Sequence, residues 1–364
     1  MTVAMPIRSI TRRRPLPTGA LGPVIACCLL AVACVAPALA DTLIVANKAE
    51  ATVSLVDIAS GQVRATLPTG DGPHEVAVSP DGGRAVVADY GTGEAPGGTL
   101  TLIDVAAAKV VSTIDLGEYR RPHGMAWPSE DTLFVTAEAQ KSLLRVDPTS
   151  GKVVRAYETG QEISHMVAVA PDASRAFVAN IGSGTVSAID LASGEKLADI
   201  ATGEGAEGIA VTPDGARVWV TNRAADTVSV IDAARLEVVR TLELGSFPIR
   251  AEVTPDGARV LVSNARSGSV AVIDQEKAEV LETIAIEVTA DQDAEGEAQR
   301  LLRFGDSPVP IGIEIAPDGG RAYVALANAD QIVILDLEKG EVSGQLTAGR
   351  EPDGMGYSKV SGSK

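Results

Sequence analysis

The feature that most constrains this chain is a β-alternating run that closes on aspartate and then recurs. It reads SLVD at Asp57, TLID at Asp104, LRVD at Asp147, SAID at Asp190, SVID at Asp232, AVID at Asp274 and VILD at Asp336. Most successive copies stand 42–43 residues apart, the length of one four-stranded propeller blade. The unit around Asp232 is the plainest. GIAVT (208–212), RVWVTN (217–222), TVSVID (227–232) and EVVRTLEL (237–244) have the alternation and β-branching of strands. PDGA (213–216) is a tight turn: Pro fixes φ, Asp bonds its own backbone, and Gly takes the unusual φ. A single blade exposes two apolar faces and is stable only when stacked on neighbours. The predicted fold is therefore all-β, a seven-bladed β-propeller of four-stranded antiparallel blades.

Closure is legible too. TLIVAN (42–47) is a second strand with no first strand ahead of it, and GREPDGMGYSKV (349–360) is a blade opening with no blade behind it. Joined, they complete one blade and remove the open sheet edges. One domain is expected over 41–360, with blades at about 42–70 plus 349–360, 71–118, 119–161, 162–204, 205–246, 247–307 and 308–348, and a tail at 361–364. Residues 1–40 read differently. Arg8, Arg12, Arg13 and Arg14 precede an apolar stretch from about Leu21 to Val35, and Ala38-Leu39-Ala40 is a small-x-small cleavage site. This predicts a signal peptide cut after Ala40 and a periplasmic protein, exported by the general secretory or the twin-arginine route. The apolar stretch is too short to span a bilayer comfortably, and no later one approaches that length.

Cys27, Cys28 and Cys34 all fall before residue 41. The exported chain then has no cysteine, which excludes disulfides, thiolate metal sites, iron–sulfur clusters and covalent haem. The net charge of −17 repels phosphate backbones and anionic lipid. With 3% aromatic residues, that makes nucleic acid a poor partner. A small ligand or another periplasmic protein is the expected partner, and the chain is expected to be a monomer.

LIVAN, AFVAN, VWVTN and VLVSN, with their SPDG and TPDG turns and TVSVID strands, resemble the YVTN-repeat family of β-propellers over essentially the whole exported chain. The resemblance implies the seven-bladed fold. It leaves function open, because related propellers include binding proteins, lactonases, lyases and metal or haem enzymes.

The three histidines open three consecutive blades. Aligned without gaps, the blade openings give Asp353, His74, His123, His165, Glu207, Ile249 and Ile311 at one position, in ring order. Five adjacent blades thus offer metal or proton ligands, and His74, His123, His165, Glu207 and Asp353 form a candidate metal arc at the top of the central channel. The next position adds Glu75 and Arg250 at the rim among glycines, which are read as letting a ligand approach the backbone. Strict strand parity would turn His74 toward the next blade with Val76 and Val78. Two insertions enter top loops: GTGEAPGG (91–98) and the longer 288–307. The latter holds a candidate helical lid with Glu295, Glu297, Arg300, Arg303 and Phe304. Asn47, Asn180, Asn222 and Asn264 end second strands and are read as left-handed turn residues.

Imidazole and carboxylate suit Zn, Cu or Fe as divalent ions. The arc supports a binding or scaffold propeller with a partner, small ligand or metal at the channel mouth. It also supports a metal-assisted, lactonase-like hydrolase or lyase, or a periplasmic metal carrier or sensor. No GxSxG elbow, phosphate loop or HExxH helix is present.

Overall fold

In the computed structural model, which describes residues 41–288 and 304–360, the repeat folds as seven four-stranded antiparallel sheets. The unit read most plainly gives strands Ala206–Val211, Arg217–Asn222, Thr227–Asp232 and Glu237–Glu243. Blade one is composite: Pro352–Ser358 pairs antiparallel with Thr42–Asn47, followed by Thr52–Asp57 and Gln62–Pro68. Successive innermost strands touch one another all the way round the ring, so they line the channel. No helix among the described residues is long and apolar enough to cross a membrane.

Alternation within each strand feeds apolar layers between blades. Trp219, fully buried, packs with Val260 and Val262 of the next blade, and Trp127 packs with Ala77 and Val86 of the preceding one. The strand-closing aspartates cap turns as expected: Asp190 Oδ1 accepts Ser193 N at 2.7 Å, and Asp232 Oδ1 accepts Arg235 N at 2.9 Å. A second device links the blades. Arg175 Nη1 donates to Ala233 O of the following blade at 2.7 Å, Arg217 to Gln275 O at 2.5 Å, and Arg259 to Leu337 O. Each arginine opens its second strand at the bottom and satisfies a turn carbonyl next door.

The asparagines do something other than turn. Asn47 has φ −104°, and none of the four has positive φ. Each is buried and ties its strand to the next. Asn47 Nδ2 donates to Thr52 and Ser54 at 3.0 and 2.9 Å, and Asn222 Nδ2 to Thr227 and Ser229, both at 3.0 Å. The amide nitrogen is thus paired across the strand pair without a positive φ, so the left-handed reading is corrected, while Asn222 Oδ1 and Asn264 Oδ1 find no hydrogen bond among the described residues. In blade two Asp89 takes the role, accepting from Thr99 and Thr101, and burial raises its carboxyl to about 6.

Candidate functional site

Every blade enters its innermost strand through the same strained turn. Gly72, Arg121, Ile163, Gly205, Phe247, Val309 and Glu351, each two residues before the aligned position, have φ between 51° and 77°. That region disfavours L-residues, and β-branched ones most. Ile163 is 40% exposed, with φ 56°. Ile163→Gly is therefore expected to raise stability by about 0.5–1 kcal/mol, read as an increased urea midpoint. An unchanged or lower midpoint would rule out strain at this turn.

The two residues that follow form a bulge. In blade two Pro73 pairs with Asp89 and Val76 with Val87, so His74 and Glu75 lack partners on the second strand. The same skip leaves out His123 and Gly124, His165 and Met166, Glu207 and Gly208, Ile249 and Arg250, Ile311 and Gly312, and Asp353 and Gly354. The two aligned positions are thus bulge residues, and a bulge re-aims side chains. It breaks the parity that would send His74 the way of Val76. Hydroxyls of the preceding blade fix several bulges: Thr136 Oγ1 donates to His165 O at 2.7 Å, and Thr221 Oγ1 to Ile249 O at 2.8 Å.

The glycines have a packing reason instead of a ligand one. A Cβ on Gly312 would sit 2.1 Å from Asp353 O, and one on Gly124 2.6 Å from His165 O. The neighbouring strand occupies that space.

The rings of the three histidines meet. His74 and His123 have centroids 5.2 Å apart, and His123 and His165 stack at 3.6 Å. His74 Nδ1–H donates to Gly72 O at 2.7 Å. His165 Nδ1 donates to Glu138 Oε1 at 2.5 Å, and its Nε2 lies 3.6 Å from Glu207 Oε1. Arg223 Nη1 stands 2.8 Å from Glu207 Oε2, and Tyr90 OH donates to Glu138 Oε2 at 2.6 Å. Arg250 of blade six reaches across the channel to Glu75 of blade two and lies 3.9 Å from Asp353, which also faces Lys48 at 3.8 Å. The carboxylates of Glu75, Glu138, Glu207 and Asp353 are matched one for one by Arg250, Arg223, Lys48 and protonated His165. Most of this is buried: His123 is 3% exposed, Asp353 4%, and His165 and Glu138 8% each.

Burial holds His74 and His123 well below the ordinary imidazole range. The positive charge of Lys48 adds to this at His74, and that of His165 at His123. Burial also opposes the charge on His165, but hydrogen bonds and charge from Glu138 and Glu207 outweigh it and raise this ring to about 9. The arc is therefore two neutral imidazoles beside one imidazolium.

Glu138, Lys48, Tyr90 and Arg223 escaped the sequence reading. They occupy the position after the aligned Asn47, Asp89, Ala137, Asn180, Asn222, Asn264 and Leu326, which reads Lys48, Tyr90, Glu138, Ile181, Arg223, Ala265 and Ala327 around the ring. Aligning second-strand ends as well as blade openings exposes a similar polar-to-apolar division, interrupted at Ile181. The apolar side is a cluster of Ile249, Ile311, Val309, Ala265 and Ala327 with Phe304, whose ring meets Phe247 edge-on at 5.0 Å. Of the candidate lid, Phe304 is thus a buried cap on the apolar half; Glu295, Glu297, Arg300 and Arg303 lie outside the described residues. The shorter insertion is a prolonged hairpin, with Gly91 paired to Pro96.

A family model described as YNCE-like beta-propeller matches residues 142–250. The ring closes around that stretch with seven blades. The chain is a seven-bladed β-propeller, and its stretch 142–250 is similar to the YNCE-like type. No curated protein matches it. Among solved structures, the propeller is similar to a functionally unknown protein from Desulfotomaculum acetoxidans, with a TM-score of 0.72 and 14% identity, over 88% of this chain and 99% of that one. This likeness is one of fold. Hydrazine synthase from Kuenenia stuttgartiensis aligns with a TM-score of 0.47 and 22% identity, over 60% of this chain and 77% of that one.

Proposed function

We propose that this protein is an exported, periplasmic binding propeller that takes a small ligand at the channel mouth, on the polar half formed by blades one to five. The observation that carries the reading is a group of buried polar atoms on the blade-opening residues without hydrogen bonds among the described residues. These are His123 Nδ1, Arg250 Nη1 and Asp353 Oδ1. Buried polar groups are nearly always satisfied, and each orphan costs about 1–3 kcal/mol. An occupant that both accepts and donates hydrogen bonds, or a cation with its own ligands, relieves that cost. The expected export supports the same reading, since it presents the site to periplasmic solutes.

The test is a thermal-shift and native mass-spectrometry screen of residues 41–364 against transition metals, small carboxylates, amino acids, esters and lactones. At least one class is expected to raise the melting temperature and to lose that effect in His123→Gln. Hydrolysis of an ester or lactone in the same screen would favour the enzymatic alternative. If nothing binds the folded wild-type protein, the reading is wrong.

A further inference from the structure

We infer that the ligand at this mouth is a divalent first-row transition-metal ion, bound by His123, Glu138 and His165. The inference rests on the binding reading above and names its ligand class. One potential ligand atom from each of these residues lies within 4.8 Å of the others, and all three residues are buried. Two imidazoles and one carboxylate suit Zn²⁺, Fe²⁺ or Cu²⁺, and three protein ligands leave one position for water or a solute.

A second observation is independent of that proximity. His123 Nδ1 is a buried ring nitrogen with no hydrogen-bond partner among the described residues. The surroundings also match what metal ligands require. Tyr90 OH fixes the second oxygen of Glu138 at 2.6 Å. Glu207 faces the far nitrogen of His165 at 3.6 Å and is itself held by Arg223 at 2.8 Å. Such outer partners orient ligands and are worth about 10–100-fold in affinity. Binding an ion requires a rearrangement of these side chains. Bonds of about 2.0–2.1 Å at tetrahedral angles separate ligand atoms by about 3.3 Å. The His165–Glu138 contact of 2.5 Å must open by under about 1 Å, and the widest separation of 4.8 Å must close by about 1.5 Å. The stacked rings of His123 and His165 must also turn so that one lone pair of each points at the ion. The proton between His165 and Glu138 leaves to solvent as the ion enters.

The experiment uses residues 41–364, with metal stripped by chelator and the fold checked by circular dichroism. Zn²⁺ binding is measured by calorimetry and elemental analysis, and Co²⁺ binding by its visible spectrum. One ion per chain is expected, with Co²⁺ bands of nitrogen and oxygen ligation. His123→Gln and Glu138→Gln are expected to weaken Zn²⁺ by about 100-fold or more, each as a folded protein. Glu341→Gln, exposed on the outermost strand of blade seven, is expected to bind within about threefold of wild type. Absence of stoichiometric binding by the folded wild type overturns the proposal. So does unchanged affinity in both His123→Gln and Glu138→Gln. If no metal binds but another solute of the screen does, with the effect lost in His123→Gln, only the metal assignment falls. If nothing binds, the binding reading falls with it.

Discussion

Glu252→Gln is expected to stabilise the propeller by about 3–5 kcal/mol at pH 9 and to change it little below pH 4.5. Glu252 and Glu314 lie on the innermost strands of blades six and seven, at a position that reads Ala77, Ala126, Ala168, Ala210 and Gly356 elsewhere. Each reaches to the next blade: Glu252 Oε1 accepts Ile315 N at 3.3 Å, and Glu314 Oε1 accepts Tyr357 N at 3.2 Å. Glu252 Oε2 is buried without a hydrogen bond among the described residues. Burial pushes the Glu252 carboxyl up to about 8, and burial with the nearby Glu252 charge pushes Glu314 well above the ordinary range.

A folded pKa raised above the unfolded one means the folded state holds the proton longer. The stabilising contribution is full below the unfolded value near 4.5 and is lost as pH climbs through about 8. Glutamine keeps the hydrogen bond to Ile315 and cannot ionise, so the mutant escapes that loss. Glu252 is half-buried as a residue, so the lower end of the range is the one to expect. Urea unfolding of both proteins at pH 4.5 and pH 9 checks it. A difference that does not grow with pH would show that the carboxyl is already well hydrated.

The second large effect belongs to the ion pair across the mouth. Arg250→Met is expected to destabilise by about 3–5 kcal/mol, because Glu75 then keeps a buried charge without its cation. Adding Glu75→Gln removes that charge and should recover most of the loss, while Asp353 retains Lys48 at 3.8 Å. A double-mutant cycle by urea denaturation measures the coupling. Additive single effects would mean that the arginine stabilises by packing alone.

Much of this architecture was legible in one dimension. The Asp-terminated runs, the PDG turns and the split first blade predicted the strands to within a residue or two, because each blade repeats the same local chemistry. The seven blade openings, once aligned, picked out His74, His123, His165, Glu207 and Asp353, and the structure brings these residues to one mouth. Three things were hidden. Parity gave no sign of the bulge, since its cause is the left-handed turn before it and the adjacent blade's contacts beside it. Glu138 stands in a top turn outside the aligned column, so nothing local linked it to His165. The asparagines read as turn residues because their partners, five and seven residues on, bind them across a strand pair.

The sequence by itself determined the number of blades, their strands and how the ring closes, since these follow from alternation, turn residues and burial, all encoded locally. Which ionisable groups meet was decided only in the closed ring. Arg250 and Glu75 are 175 residues apart and touch because blades six and two face each other across the channel. His165 carries its proton because carboxylates from blades three and five flank it where water is scarce. Charge state in a buried cluster depends on distances between strands, and those are set when the ring closes.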